Sequence, residues 1–263
     1  MRTLITAVAV VAAMQTPASA EPLPEGSADH YAGSEIAKHE GWDRADVDPP
    51  LDGKVPGMDV SSHQKDVNWQ DSWNKGARFA YIKATEGVTY KNPFFAQQYN
   101  GSYEVGMIRG AYHFALPDRA DGVAQANHFV DNGGGWSADG KTLPPALDME
   151  YNPYGETCYG MNQELMTKWV VEFSNRVFER TKRYPMIYTS TSWWNKCVGG
   201  SVKFGDNNPL WVARYGDHLD HPGALPAGFE FHTIWQWKAA GLFPGDQNIF
   251  NGKADQLLRI ATG

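Results

Sequence analysis

Two carboxylates stand one residue apart at the end of a short apolar run, which reads PPALDME from Pro144. If this run is a buried strand, Asp148 and Glu150 project from the same face, with backbones roughly 7 Å apart. Carboxyls that close perturb each other, so that one keeps its proton while the other stays ionised. Hydrolysis of a bond between two sugars needs this division of roles. Two solvated acids at a strand end would show the same pattern, so the pair needs support from elsewhere in the chain.

The first 20 residues have the pattern of a secretory signal peptide. Arg2 supplies a positive start, an apolar stretch runs from Leu4 to Ala13, and a small-residue triplet at 18–20 suits the cleavage site. We therefore expect an exported, extracellular protein whose mature chain begins near Glu21.

The residues after this signal predict a soluble, disulfide-bonded protein. No later run is long and apolar enough to span a membrane. The chain has two cysteines, Cys158 and Cys197. An even number of cysteines in a protein bound for an oxidising compartment predicts one disulfide between them.

Residues 21–54, which we call the N-terminal arm, are strongly acidic. They hold nine Asp or Glu against three Lys or Arg, in a chain whose net charge is −7. Pro, Gly and Ser are frequent in this arm and apolar residues are few, so we expect an extended or partly disordered extension. It is either a solvated tail or a removable pro-segment. Residues 55–263 have the length of one domain with a sizeable core, and we expect them to be active without the arm.

Apolar runs typical of strands alternate with amphipathic stretches after residue 54. The candidate strands are Val55 to Val60, Arg78 to Ala84, Met107 to Phe114, Pro145 to Glu150, Pro185 to Ser190, Leu210 to Ala213, His232 to Trp237 and Gln256 to Ile260. The clearest helix runs from about Gln163 to Arg183, where apolar residues recur at spacings of three and four.

This alternation implies parallel strands joined by helical crossovers, whereas the last three strands have short connections. The pattern predicts the α/β class: a single (β/α) barrel of the TIM type, with eight strands and reduced helices in the last third. It fits this barrel better than an open, doubly wound sheet. Catalytic groups of such barrels lie at the carboxyl ends of the strands, where Asp148 and Glu150 stand.

Two further acids fall at the same predicted rim. Asp59 ends the first strand in the run GMDVSSHQ, and Asp246 follows the seventh strand in PGDQNIFNG. Between these runs lie KATEG, GAYHF, PALDME, PMIYTS, PLWVARY and WQW, in that order. Together the runs resemble the glycoside hydrolase family 25 lysozymes, also called Chalaropsis-type muramidases. The resemblance covers about residues 56 to 252.

The resemblance implies a muramidase that hydrolyses the β-1,4 bond between N-acetylmuramic acid and N-acetylglucosamine without a cofactor. Glu150 looks like the general acid that protonates the leaving oxygen. Asp148 would tune that acid or steady the substrate's acetamido group, while Asp59 and Asp246 would support the charge that develops at the sugar ring. Similarity suggests retention of configuration. The nucleophile is either an enzyme carboxylate or the acetamido oxygen of the substrate, and the sequence leaves both open.

Aromatic side chains in or beside the predicted strand ends could stack on sugar rings, although each could instead pack in the core. The candidates are Tyr112, Tyr151, Tyr188, Trp211, Tyr215 and Trp235. Tyr112, Tyr188 and Trp235 lie inside family-like motifs and are the stronger candidates.

Other functional classes have less support. His63 and His113 lack the company of ligands that a zinc amidase would need, so we expect no metal site. The sequence has no basic patch of the kind that binds nucleic acid. A catalytically silent barrel that binds glycans would not need a buried proton donor, and a chitinase-like hydrolase would need a longer acidic signature. We expect a monomer whose partner is the glycan strand of bacterial peptidoglycan.

Overall fold

The computed structural model describes residues 30–41, 51–216 and 220–263. The predicted signal peptide and residues 21–29 and 42–50 of the N-terminal arm lie outside these residues. One sheet contains every strand of the described ranges, and pairing between its first two strands closes it into a barrel. The strands are β1 Val55–Val60, β2 Phe79–Glu86, β3 Tyr90–Lys91, β4 Ile108–Phe114, β5 Ala146–Asp148, β6 Met186–Ser190, β7 Leu210–Ala213, β8 Ile234–Lys238 and β9 Asp246–Phe250.

Eight of these strands form the barrel wall, and the short β3 extends β2 as an antiparallel partner. Seven wall strands run parallel to one another, namely β1, β2, β4, β5, β6, β7 and β8. The eighth, β9, runs antiparallel to both β8 and β1. The predicted eight-stranded barrel with reduced helices near its end is therefore confirmed, with one strand reversed.

Helices surround the barrel, and one more lies over its carboxyl-end rim. Their bounds are α1 Ser34–Glu40, α2 Trp69–Asn74, α3 Phe95–Glu104, α4 Gly122–Asp131, α5 Gln163–Thr181, α6 Thr191–Cys197 and α7 Ala254–Thr262. The longest, α5, begins where the side chain of Asn162 accepts a hydrogen bond from the N–H of Leu165, and it ends at Lys182 in a left-handed conformation. None of the described helices is both long and apolar enough to cross a membrane.

The apolar core has an inner and an outer layer because strand side chains alternate between the two faces of the wall. Large aromatic side chains, including Tyr81, Tyr112, Tyr188 and Trp211, fill the barrel interior. The outer layer lies between the wall and the helices, where Phe173 of α5 packs. This arrangement holds the strand ends rigidly in place.

The final part of the chain differs from the sequence prediction. The predicted strand Gln256 to Ile260 is wrong, because these residues lie within helix α7, which buries Leu257 and Ala261 on one face. The eighth strand is instead β9, so Asp246 is the first residue of a strand and not part of a loop after the seventh strand.

The predicted disulfide between Cys158 and Cys197 is confirmed, with a Cα separation of 5.3 Å. It joins the loop that follows β5 to the last residue of α6. The bond therefore fixes the segment that continues directly from Asp148 and Glu150.

Candidate active site

Four buried carboxyl groups meet at the carboxyl-end rim of the barrel. Asp148 is the last residue of β5 and Glu150 lies two positions further, while Asp59 of β1 is the register partner of Asp246 of β9. Each of the four is at most 2% exposed. The structure thus brings together all four acids that the sequence singled out.

Strand alternation explains why Asp148 and Glu150 share a face. Leu147 and Met149 pack in the outer layer of the core. The intervening residues consequently face the barrel interior, although regular strand pairing stops at Asp148. A main-chain hydrogen bond from Met149 to Tyr188 of β6 keeps the chain extended beyond that point.

Gln236 of β8 links the two carboxyls of the β1–β9 pair. Its amide nitrogen donates to Oδ2 of Asp59 at 2.9 Å and to Oδ2 of Asp246 at 3.2 Å. Asn248 of β9 donates to the same Asp59 oxygen at 2.6 Å. Tyr188 and Tyr215 donate their hydroxyl protons to Oε1 of Gln236, which fixes the orientation of the amide.

Burial controls the protonation of Glu150 and Asp59. It raises the pKa of Glu150 to about 8, against hydrogen bonds from the main-chain N–H groups of Gly33, Ile36 and Glu35, which favour the ionised form. Burial likewise raises the pKa of Asp59 to about 7, against the hydrogen bonds from Gln236 and Asn248. Glu150 can therefore hold a proton at neutral pH.

The other two carboxyls also favour the protonated form. Burial and the neighbouring Glu150 carboxyl raise the pKa of Asp148 well above its ordinary value. Neither Asp148 oxygen has a well-formed hydrogen-bond partner in the described part of the chain. Burial and the charges of Asp59 and Glu150 raise the pKa of Asp246 well above the usual range.

A buried ion pair borders the carboxyl cluster. The ammonium of Lys83 lies 2.5 Å from Oε2 of Glu86, and both residues belong to β2. Burial raises the pKa of Glu86. The Lys83 charge and a hydrogen bond with His30 outweigh this effect and lower the pKa to about 2. The pair as a whole is neutral, but its Lys83 charge counteracts the rise in the pKa of Asp148.

Residues 30–41, which we call the capping segment, occupy the space over these acids. The main-chain N–H of Gly33 donates to Oε1 of Glu150 at 2.7 Å. The N–H groups of Glu35 and Ile36 both donate to Oε2 of Glu150 at 2.9 Å. Both oxygens of the predicted general acid are thus bound by the first turn of α1 and the glycine before it.

The capping segment also contacts the wall around the acids. The N–H of Ala32 donates to the hydroxyl of Tyr112 at 3.3 Å, and the carbonyl of Ala32 accepts from Gln236 at 3.0 Å. The side chains of Ala32 and Ile36 are 0% and 1% exposed and join the inner apolar cluster. This part of the N-terminal arm is therefore a packed element, which differs from the extended or partly disordered extension that we expected.

The six predicted aromatic residues divide between the site and the core. Contacts with the capping segment or Gln236 are made by Tyr112, Tyr188 and Tyr215. The ring of Tyr151 stacks on that of His39 of the segment, with ring centroids 4.2 Å apart. Trp211 lies fully buried against Tyr81 in the barrel interior. Trp235 packs in the outer layer, on the opposite face of the wall from the acids.

The two histidines that the sequence raised have other roles. His113 lies in the outer layer and bonds to Thr85 and Gln125, and burial lowers its pKa to about 3. His63 makes an edge contact with Tyr31 of the capping segment. Within the described ranges, no group of three or more His, Cys, Asp or Glu is arranged to hold a metal ion.

Sequence reasoning missed Gln236, Asn248, Lys83 and Glu86 as members of the site. All four lie inside runs that carried the family resemblance, namely WQW, PGDQNIFNG and KATEG. Their positions within those runs were the available signal. The capping segment gave no such signal, because its role depends on packing against residues more than 100 positions away.

Comparisons with known proteins agree with this geometry. The model of the glycosyl hydrolases family 25 matches residues 58–246. A protein named N,O-diacetylmuramidase from Chalaropsis sp is 46% identical, over 80% of this chain and 100% of its own. Lysozyme M1 of Streptomyces globisporus is 44% identical, over 84% of this chain and 76% of its own.

A solved structure, that of a family GH25 lysozyme from Aspergillus fumigatus, is 46% identical. It superposes with a TM-score of 0.77, over 80% of this chain and 100% of its own. These matches identify the chain as a member of glycosyl hydrolase family 25.

Proposed function

We propose that this protein is a lysozyme of the N-acetylmuramidase type, which hydrolyses the β-1,4 bond between N-acetylmuramic acid and N-acetylglucosamine in peptidoglycan. The observation that carries the proposal is a buried Glu150 that favours its protonated form, surrounded by three further carboxyls at the carboxyl ends of barrel strands. The names of the Chalaropsis and Streptomyces globisporus relatives support the same activity.

Glu150 acts as the general acid in this mechanism. Its pKa of about 8 keeps the proton on the carboxyl at neutral pH, ready for transfer to the oxygen that leaves with N-acetylglucosamine. The ordinary Glu value of 4.5 would leave almost none of this form. Burial thus supplies the property that the step requires.

Asp59 and Asp246 support the positive charge that develops at the sugar ring: Asp59, with a pKa of about 7, is partly ionised at neutral pH, and Asp246 shares the Gln236 amide with it. Gln236 and Asn248 hold the Asp59 carboxyl in place and favour its ionised form. Because the site is already arranged before the reaction, little energy is needed to reorient dipoles as the charge appears.

Asp148 serves the acetamido group of the substrate. Its carboxyl oxygens lack well-formed partners in the described part of the chain, and a buried polar group of this kind favours a new hydrogen bond. An acetamido N–H bonded to Asp148 would place the acetamido oxygen for attack on its own ring carbon. Such substrate assistance leads to retention of configuration.

The protein acts outside the cell on an open glycan strand. The disulfide between Cys158 and Cys197 is suited to an oxidising compartment, and the pattern of residues 1–20 suits export. Tyr151 and Tyr215 lie at the rim, where their rings and hydroxyls can contact the sugars, whereas Tyr112 and Tyr188 have buried rings and present only their hydroxyls to the site.

The test is to identify which sugar gains the new reducing end. Purified peptidoglycan is digested with the chain from Lys54 onward, which lacks the capping segment, and the products are reduced with borohydride. We expect muramicitol with little glucosaminitol. Glucosaminitol as the main product would indicate a glucosaminidase, and free peptide amines without reducing sugar would indicate an amidase; either result refutes the proposal.

A further inference from the structure

We propose that the capping segment, residues 30–41, is a built-in inhibitor that keeps the enzyme inactive until the segment is cut away or displaced. This inference rests on the proposed function, since it assigns a regulatory role at the same site. It gives the N-terminal arm a purpose beyond that of a solvated tail.

The segment occupies the catalytic acid directly. Three main-chain N–H groups, those of Gly33, Glu35 and Ile36, bind the two oxygens of Glu150 at 2.7 to 2.9 Å. Because these donors take up both oxygens of Glu150, the carboxyl cannot form a hydrogen bond with a glycosidic oxygen while the segment is in place. Any sugar that approaches Glu150 must also displace the backbone of Gly33.

The segment is anchored on both sides of this contact. At its start, the carbonyl of His30 accepts a hydrogen bond from the Lys83 ammonium, and Nδ1 of the His30 ring lies 3.1 Å from the Tyr154 hydroxyl. At its end, the Glu40 carboxylate accepts from Tyr151 and Ser190. These groups belong to the rim itself, so the segment covers the groove from one wall to the other.

Gly33 fits the site in a way that no other residue could. Its φ of 95° lies in the left-handed region. A Cβ atom added there would lie 2.0 Å from the hydroxyl oxygen of Tyr215 and 2.8 Å from that of Tyr188. The close approach that lets the Gly33 N–H reach Glu150 therefore depends on the missing side chain.

The net charges of the segment and the site do not favour binding. The N-terminal arm is acidic and so is the site, and Glu35 is itself buried, 3% exposed, beside Lys38. Binding depends on main-chain donors, apolar burial and covalent attachment, which gives the segment a high effective concentration at the groove. Cleavage between residues 41 and 54 removes that attachment, so the segment then dissociates and the groove opens.

Two matched glycine variants of the chain from Glu21 onward test the inhibition. Gly33→Ala adds a methyl that collides with the groove. Gly41→Ala adds the same methyl to the same segment at a φ of 80°, where nothing lies within 4 Å. Both changes strain a left-handed residue, but only the first opposes the fit against the site.

We expect Gly33→Ala to clear a cell-wall suspension about tenfold faster or more, because the rate follows the fraction of molecules with an open groove. Gly41→Ala should match the unchanged chain. Hydrogen exchange gives a second readout, in which the amides of Glu35 and Ile36 lose protection only in Gly33→Ala. Equal rates and equal protection in all three proteins would overturn the inference.

The chain from Lys54 onward separates this inference from the proposed function. A relative from Chalaropsis sp is matched over its whole length by 80% of this chain, which supports independent folding of the barrel. An active short chain beside a slow longer chain supports inhibition, whereas equal activity of the two refutes it. A folded but inactive short chain would instead refute the proposed function.

Discussion

Asp59 and Asp246 face each other as register partners across the antiparallel strands β1 and β9, and one amide nitrogen, that of Gln236, donates to both carboxyls. Two buried carboxylates at adjacent positions repel each other, and the charge of Asp59 helps to raise the pKa of Asp246. The reversed strand is what creates this pair, because it turns the start of β9 toward the end of β1. The geometry and the charge state of the rim are therefore set together.

Removal of the catalytic proton should abolish hydrolysis. Glu150→Gln keeps the shape of the side chain but cannot donate the proton, so we expect a rate loss of about 10²-fold to 10⁴-fold in the chain from Lys54 onward. Glu230→Gln, at an exposed position, is the matched control and should keep full activity. Turnover is measured on purified peptidoglycan. An active Glu150→Gln protein would remove Glu150 from its assigned role.

Hydrolysis should decline as the pH rises through about 8. Glu150 must be protonated to act, and bound substrate takes the place of the capping segment in burying it. The measured midpoint belongs to the coupled group of four carboxyls, since their titrations interact. Initial rates between pH 5 and 10, again with the chain from Lys54 onward, give the profile. A rate that still rises above pH 9 would contradict this mechanism.

Folding stability should also fall as the pH rises. The pKa of Glu150 increases on folding from 4.5 to about 8, and that of Asp59 from 3.8 to about 7. The folded state thus binds more protons, and the resulting stabilisation is complete below about pH 4 and lost as the pH rises through 7 to 8. Glu86 has the opposite effect. Its lowered pKa stabilises the folded state above pH 4.5, and this stabilisation is lost only as the pH falls toward 2.

Denaturant unfolding of the chain from Glu21 onward, at pH 5 and pH 8.5, tests whether stability falls as the pH rises. We expect the free energy of unfolding to be greater at pH 5 by on the order of a few kcal/mol. Asp59→Asn should reduce the difference, and Asp206→Asn, at an exposed position, should leave it unchanged. Greater stability at pH 8.5 would show that the buried carboxyls are not held protonated.

Much of the barrel was predictable from sequence, and the failures have physical causes. The strands Val55–Val60 and Leu210–Ala213 were predicted with the bounds that the structure shows, because their apolar runs are short and end in polar residues. Residues 256–260 read QLLRI, and so short an apolar run cannot be assigned to a strand or a helix by periodicity. Tertiary packing determines the outcome: as helix α7, these residues bury Leu257 and leave Leu258 about half exposed.

Strand β9 escaped prediction because its inward face is polar. Asp246 and Asn248 project into the carboxyl network, while Ile249 packs in the outer layer. A strand that contributes to a site carries polar residues where a core strand would be apolar, so its pattern does not stand out. The capping segment was missed for a different reason: its packing depends on distant parts of the chain.

Loss of the disulfide should lower stability without removing activity. The bond between Cys158 and Cys197 spans 39 positions, for which chain entropy allows roughly 4 kcal/mol at most. We expect the double variant Cys158→Ser/Cys197→Ser to melt at a lower temperature, as followed by circular dichroism. A reducing agent should have the same effect on the unchanged chain and none on the variant. An unchanged melting temperature would mean that the loop needs no crosslink.

Gln236 should set the pH range of activity through the Asp59–Asp246 pair. Its hydrogen bond favours the ionised form of Asp59, so Gln236→Met should raise the pKa of that carboxyl further. If ionised Asp59 supports the charged sugar ring, the acidic limb of the activity profile moves to higher pH, by about one unit. Gln70→Met, at an exposed position of α2, is the control and should leave the profile in place. The full pH profile of kcat/KM is measured for both variants in the chain from Lys54 onward. A lower rate with an unmoved acidic limb would mean that Gln236 only supports the packing of β8 and does not position the charge of Asp59.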